Sequence, residues 1–173
     1  MDVKELLSLK GKVIVVTGGS GQYGKCLVEG LAEAGGTVIT TSRDLTSAEK
    51  TAATFKAKGL DVFAMEVDQG DSTSVEKFTQ QLKEKFGKLH VFVNNAVSRP
   101  MKGYNRPLEE FDESMRVNAT GMWDLLKAMT DLIIASGGGS VINISSMMGM
   151  KGPDLSNYEG TSMGDLPPDY FFH

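Results

Sequence analysis

Several features that mark particular classes of protein are scarce in this sequence of 173 residues. It has one cysteine, Cys26, so no disulfide can form within the chain, and a lone thiol suits a reducing compartment. Apolar runs such as VIVV at 13–16 are far shorter than the ~20 residues that cross a bilayer. The N-terminal stretch MDVKELLSLKGK mixes charges with its leucines, unlike a signal peptide. These absences predict a cytoplasmic protein with no membrane partner.

Positive charge is not in excess either. Lysine and arginine number 18 against 22 acidic residues, for a net charge of −4, so no surface for nucleic acid is predicted. The two histidines show no metal-ligand spacing, and no metal site is predicted. The hydrophobic fraction of 40% and the charged fraction of 23% are those of a globular protein, here one domain over 1–173.

Short β-branched runs alternate with amphipathic helical patterns along the chain. Strands are predicted at 12–17, 37–41, 61–67, 89–95 and 140–145. Helices are predicted at 22–34, 47–58, 72–86 and 111–135. Strands buried on both faces and joined by helices indicate a parallel sheet with right-handed crossovers. The predicted fold class is α/β, a Rossmann-type doubly wound sheet. Because such sheets usually have six or more strands, we expect the C-terminal part of the fold to be missing.

A glycine-rich loop, VVTGGSGQYGKC, lies between the first strand and the first helix. Glycine allows positive φ and lets the backbone approach a pyrophosphate, which then lies against the helix N-terminus. A glycine cluster alone is weak evidence, but its place after the first strand strengthens it. The loop is therefore predicted to bind a dinucleotide. The residues expected to contact it are Gly18, Ser20, Gly21, Gln22, Tyr23 and Gly24.

The end of the second strand, TTSRD, bears on which dinucleotide is preferred. An acid at this point accepts from the ribose 2′-hydroxyl, whereas an arginine favours a 2′-phosphate. Ser42 can donate to a phosphate and Arg43 can bind it in a fork, so NADP is the predicted cofactor. NAD is the alternative, in which Asp44 is the ribose acid.

Two acidic residues follow the third strand in EVDQGD. Asp68 is predicted to face the adenine edge of the cofactor. Asp71, or Ser72 beside it, is predicted to cap the next helix.

Four separated segments resemble the short-chain dehydrogenase/reductase family, in family order over nearly the whole chain. They are TGGSGQYG at 17–24, NNA at 94–96, VNATG containing Asn118, and NISS at 143–146. The resemblance implies that Asn95 and Ala96 line the cofactor and that Asn118 supports a water of the proton relay. It also implies that Ser146 holds the substrate carbonyl.

The glycine spacing leaves the branch of this family open. Glycines at 18, 21 and 24 fit the extended branch, the epimerases and dehydratases, and the single-domain branch would place glycine where Gln22 stands. Val97 also stands where glycine is usual after the paired asparagines. The paired asparagines themselves favour the single-domain branch.

The family's acid–base tyrosine has a lysine four residues later on the same helix face. The cation matters because a free tyrosine hydroxyl has a pKa of ~10 and is almost wholly protonated at neutral pH. Tyr158 lies at about the usual distance after Ser146, but Ser162 stands in the lysine position and glycines and prolines surround it. Tyr170 follows Pro167, Pro168 and a good N-cap, Asp169, and its lysine position falls just past His173, the last residue of this sequence. Tyr170 is therefore the predicted acid–base residue, at the start of a helix that continues in a longer protein.

The predicted function is hydride transfer between a nicotinamide and a carbonyl or secondary alcohol of a small molecule, by resemblance a sugar, polyol or keto compound. An extended-branch enzyme acting on a nucleotide sugar and a non-catalytic NADP-binding protein are the alternatives. One further expectation concerns an apolar substrate wall formed by Met147, Met148, Met150 and Met163. By resemblance, the full-length protein is expected to form a homo-oligomer, a dimer or tetramer, through the helix at 111–135 and the helix that starts at Tyr170.

Overall fold

A single parallel sheet organises the computed structural model, which describes residues 2–161 and 165–172. Its strands are β1 (Val13–Thr17), β2 (Thr37–Ser42), β3 (Val62–Glu66), β4 (Val91–Asn94) and β5 (Ser140–Asn143). They lie in the order β3-β2-β1-β4-β5, so the chain starts in the middle, builds outward to β3 and returns to the other side of β1. This order confirms the doubly wound fold predicted from the sequence.

Helices connect the strands and cover both faces of the sheet. They are α1 (Val3–Leu6), α2 (Gln22–Glu33), α3 (Leu45–Lys56), α4 (Ser72–Phe86), α5 (Leu108–Met115) and α6 (Met122–Ala135). Asp71 caps α4 by accepting from the Thr73 N–H at 3.0 Å, as predicted. Asp44 caps α3 in the same way, accepting from the Thr46 N–H at 3.0 Å. Apart from the helix at 111–135, element ends differ from the predicted ones by at most two residues.

Alternate residues of the strands enter two separate cores. Val15, Ile39 and Phe92 point to the face covered by α4 and α6, where they pack against side chains such as Phe78 and Met129. Their neighbours along the strands point to the other face, which α2 and α3 cover. Burying one such side chain contributes about 1.5–3 kcal/mol, so the two cores dominate the stability of the sheet.

The prediction of a single helix at 111–135 is wrong on two points. The observed helix begins earlier, at Leu108, and Pro107 occupies its N-cap position. It is also interrupted by a π-helical segment, Arg116–Gly121, between α5 and α6.

The loop after β3 supplies the partners of this π segment. The side-chain amide of Gln69 donates to the carbonyl of Val117 at 3.1 Å, and the guanidinium of Arg116 donates to the carbonyl of Gly70. Gly121 allows the close approach, because a Cβ there would lie 1.9 Å from the carbonyl oxygen of Gln69. The spacing of apolar residues along the helix carries no information about contacts with a loop 46 to 48 residues away, so it could not predict the π segment.

Strand β5 differs from the others because every one of its residues is exposed. Val141 and Ile142 are 38% and 44% exposed, although their partners on β4, Phe92 and Val93, are both buried. Trp123 and Ile134 are exposed on α6, the helix expected to carry an assembly surface, and the assembly itself stays a prediction. Among the described residues, every helix is too short or too polar to cross a membrane.

His90 ties β1 to the start of β4 through its backbone and its imidazole. The Val13 N–H donates to His90 Nδ1 at 2.9 Å, and the His90 N–H donates to the carbonyl of Val13 at 2.9 Å. Partial burial, followed by the positive charges of Lys12 and Lys88, lowers the pKa of His90. Since Nδ1 can accept only when the ring is neutral, the folded chain binds fewer protons at this site than the unfolded chain.

This arrangement predicts a stability change on acidification. The contribution of His90 is present above its unfolded pKa of about 6.5 and is lost as the pH falls below that value. His90→Gln keeps an acceptor and removes the titration. In urea unfolding, we expect the stability advantage of the wild type over His90→Gln to shrink between about pH 7.5 and about pH 5.5. A difference that stays constant with pH would contradict this account.

Candidate active site

A cleft of about 800 Å³ opens at the carboxyl ends of β1 and β4. The strand order reverses here, and crossovers that leave to opposite faces produce a crevice at such a point. The cleft is lined by the sequence-predicted residues Gly18, Ser20, Gly21, Gln22, Tyr23, Gly24, Ser42, Arg43, Asn95, Ala96, Asn118, Ser146 and Tyr170. A groove of similar volume, about 810 Å³, lies along β3 and α4, but it contains none of these residues.

The glycine loop packs too closely for side chains. Gly18 has a φ of +65°, and a Cβ there would lie 2.9 Å from Cα of Ala96. A Cβ on Gly24 would lie 2.2 Å from the carbonyl oxygen of Gly18. The bare backbone therefore forms one wall of the cleft at the start of α2, where the first N–H groups of the helix have no intrahelical partner. Such a cradle fits the phosphates of a dinucleotide.

Thr17 and Asn95 join this loop by hydrogen bonds to the chain at the C-terminal end of β4. Thr17 Oγ1 accepts from the backbone N–H groups of Asn95 and Ala96 at 3.0 and 2.9 Å. In return, the side-chain amide of Asn95 donates to the carbonyls of Thr17 and Gly18 at 2.9 and 3.2 Å. Sequence reasoning assigned no role to Thr17, although it is the first residue of the TGGSGQYG segment.

Ser42 and Arg43 lie at the end of β2 on one side of the cleft. Ser42 Oγ accepts from the Asp44 N–H at 3.2 Å, which fixes the turn that presents the exposed Arg43. Because the Asp44 carboxylate caps α3, it already has a structural role at this turn.

Asp68 is the one predicted catalytic or cofactor-binding residue that does not line the cleft. Its carboxylate accepts from the Gly70 N–H at 2.9 Å, within its own loop. The next residue, Gln69, lines the cleft instead of Asp68 and is buried. The contact between Asp68 and adenine stays a prediction.

Asn118 lies in the π segment and holds the loop that leaves β4. Its Oδ1 accepts from the Ser98 N–H at 2.8 Å, and its Nδ2 donates to the carbonyl of Ser98 at 2.7 Å. A third bond, from Nδ2 to Oγ of Ser114, measures 3.1 Å. The amide therefore fixes the backbone beside the cleft, and its part in a water relay stays a prediction.

The hydroxyls of Ser146 and Tyr170 meet in the cleft, with Tyr170 donating to Ser146 Oγ at 3.3 Å. Tyr170 lies in one 3₁₀ turn, Pro168–Phe171, which begins after Pro167. Asp169 was predicted to be the N-cap of this helix, and that prediction is wrong: Asp169 is inside the turn and 2% exposed. Two consecutive prolines fix the entry to the turn without an N-terminal cap from the acid.

Tyr158 does not line the cleft. It ends a separate 3₁₀ turn, Leu155–Tyr158, and Ser162, which stands in its lysine position, lies outside the described residues. Of the predicted methionine wall, Met147, Met148 and Met150 do not line the cleft, and Met147 and Met150 are exposed to solvent. Met163 lies outside the described residues.

Arg99 is a cleft residue that sequence reasoning missed. Its guanidinium carbon lies 5.3 Å from the ring centroid of Tyr170. Arg99 stands just beyond the NNA segment at 94–96, on a loop with no motif of its own, so the sequence offered no signal for this contact.

Comparison with known proteins identifies the family. A family model described as short chain dehydrogenase matches residues 12–164. The chain belongs to the short-chain dehydrogenase family. It is 34% identical over 158 residues to an uncharacterized oxidoreductase of Thermotoga maritima, a match that covers 90% of this chain and 62% of that protein. It is 31% identical over 156 residues to 3-oxoacyl-(acyl-carrier-protein) reductase FabG of Staphylococcus aureus, covering 88% and 63%.

A solved relative has the same arrangement. The short-chain type dehydrogenase/reductase of Mycobacterium marinum superposes with a TM-score of 0.86 at 25% identity, covering 99% of this chain and 67% of that one. The chain thus spans less than two thirds of the length of the two curated relatives, 62% and 63%.

The glycine packing predicts opposite effects for two substitutions in α2. Gly24→Ala places a methyl group against the Gly18 carbonyl, and we expect it to destabilise the fold by about 1–3 kcal/mol. Gly30→Ala is the matched control, because a Cβ there meets nothing within 4 Å. It should stabilise the helix by about 0.5–1 kcal/mol, since alanine loses less backbone entropy than glycine. Urea unfolding of both variants measures the difference, and equal effects would contradict the packing argument.

Proposed function

We propose that this chain is the cofactor-binding part of an NADP-dependent oxidoreductase. The enzyme transfers a hydride between the nicotinamide and a carbonyl or secondary alcohol on a small-molecule substrate. The membership of the short-chain dehydrogenase family supports the reaction class, and the cleft supports the assignment of residues.

One observation carries the proposal, which is the meeting of Ser146 and Tyr170 at 3.3 Å in the same cleft as the glycine loop. Two hydroxyls at this separation can both bond to one carbonyl oxygen. Ser146 polarises that oxygen by donating to it, and Tyr170 gives it a proton as it becomes an alkoxide. In the reverse direction Tyr170 takes the proton from the alcohol. Asn118 keeps the loop at Ser98 in place beside them.

The cleft fits a dinucleotide, since the cradle at Gly18 and Gly24 has no room for side chains and a pyrophosphate needs a bare backbone. Ser20, Gly21, Gln22 and Tyr23 belong to the same wall. When bound, NADP supplies the hydride acceptor or donor. The protein binds it and orients the substrate oxygen.

Tyr170→Phe tests the acid–base assignment. The loss of a positioned proton donor costs about 10²–10⁴-fold in turnover, while binding of NADPH should stay unchanged. Tyr158→Phe is the matched control and should retain full activity, because Tyr158 does not line the cleft. Carbonyl-dependent oxidation of NADPH is followed by its absorbance, and binding by calorimetry. Activity lost in Tyr158→Phe and kept in Tyr170→Phe would reverse the assignment. In the full-length protein, NADPH binding with no turnover of any carbonyl compound would favour a non-catalytic protein.

Arg43 supports the preference for NADP, because it is an exposed cation at the end of β2 where the ribose phosphate is expected. Arg43→Ala removes charge-assisted bonds and should weaken NADPH binding by about 10- to 100-fold, with less than about a twofold change for NADH. Lys50→Ala, an exposed cation on α3 outside the cleft, is the control. Unchanged NADPH affinity in Arg43→Ala would show that the phosphate assignment is wrong.

A further inference from the structure

The charged residues that line the cleft are all of one sign. Arg43 and Arg99 are both present, and the described residues of the lining include no aspartate or glutamate. The chain as a whole carries a net charge of −4, so the cleft opposes the overall charge. Because a cleft concentrates the field of its wall charges, this one attracts anions.

The two arginines lie on opposite sides of β1. Arg43 follows β2 and Arg99 follows β4, and these strands are the two neighbours of β1. Two strand spacings amount to about 10 Å, so the arginines serve different parts of whatever fills the cleft. Arg43 lies on the side proposed for the ribose phosphate. Arg99 lies at the other end, against the ring of Tyr170.

The charge of Arg99 has no anionic partner among the described residues. Its guanidinium makes neither a hydrogen bond nor an ion pair there, and it contacts the face of the Tyr170 ring. The face of an aromatic ring attracts the charge of a guanidinium and stacks against its plane. The N–H groups at the edge of the guanidinium then remain available to donate to a carboxylate or phosphate.

The backbone that carries Arg99 is held on both sides. The preceding residue, Ser98, bonds to Asn118 through both its N–H and its carbonyl, at 2.8 and 2.7 Å. The following residue is Pro100, whose φ is fixed by its ring. Arg99 is thus presented to the cleft from an ordered backbone, which lowers the entropic cost of binding a ligand.

We propose that Arg99 binds an anionic group, a carboxylate or a phosphate, on the substrate whose carbonyl oxygen lies between Ser146 and Tyr170. The substrate class is therefore a carbonyl compound, or the corresponding alcohol, with an oxyanion a few bonds from the reacting carbon. This inference rests on the proposed function and deepens it.

Two matched pairs of compounds test the charge requirement. Acetoacetate is compared with its neutral methyl ester, and dihydroxyacetone phosphate with dihydroxyacetone. Binding of each compound to the NADP-loaded protein is measured by calorimetry, which requires no hydride transfer. The variants are Arg99→Met and Arg99→Lys. Lys102→Met is the control, since Lys102 is an exposed cation on the same loop that does not line the cleft.

In the wild type, the charged member of at least one pair should bind more tightly than its neutral partner. Arg99→Met should weaken binding of that charged member by about 10- to 100-fold and of the neutral one by less than about twofold. Arg99→Lys should recover part of the loss, because it restores the charge without the fork. Lys102→Met should change neither. The pair that responds distinguishes a carboxylate from a phosphate.

The proposal is overturned if the wild type shows no preference for either charged compound, including the case in which none of the four binds. Equal losses for charged and neutral members in Arg99→Met, or the same loss in Lys102→Met, would also overturn it. If a charged compound binds more tightly than its neutral partner but oxidises no NADPH, the anion site is supported and the proposed oxidoreductase is contradicted. If both members of a pair are reduced with equal efficiency, the oxidoreductase is supported and the anion site is contradicted.

Discussion

The joint between the tips of β1 and β4 is the interaction on which the cleft depends. One buried hydroxyl, that of Thr17, accepts from two backbone N–H groups 78 and 79 residues away, and the Asn95 amide returns two bonds to the glycine loop. Each bond is worth about 0.5–1.5 kcal/mol net, but removing the hydroxyl leaves two donors unpaired, which costs more than the bonds contribute. The joint fixes the glycine loop against the end of β4, and β4 in turn pairs with β5, the strand that leads to Ser146.

The electrostatics of the cleft come from backbone and side chains together. The start of α2 presents N–H groups and the positive end of the helix dipole, and it lies between Arg43 on one side and Arg99 on the other. Each source acts over a short range, since salt screens exposed charges within about 8 Å. The cleft therefore presents positive charge at three separate points, at Arg43, at the start of α2 and at Arg99.

The fold was predictable from the sequence because its signals are local. Buried strands show as β-branched runs, and glycines mark the turn where backbone approaches backbone, so the strand ends and the loop residues were placed closely. The π segment at Arg116–Gly121 was not predictable, since its partners Gln69 and Gly70 come from a distant loop. The same holds for Arg99, whose significance arises from a ring 71 positions along the chain. Asn118, Ser146 and Tyr170 also act through tertiary contacts, but they were found because the resemblance to a known family assigned them roles.

The two halves of the cleft rest on differently packed parts of the described sheet. All four residues of β5 are exposed and the strand is held by its ladder with β4, whereas the strands on either side of β1 contribute buried side chains to both cores. The chain passes from β5 to Ser146 and on to Tyr170, whereas the glycine loop follows β1 in the middle of the sheet. The glycine loop is therefore positioned by buried packing on both faces of the sheet, and the two hydroxyls are positioned by backbone pairing and by the hydrogen bond between them.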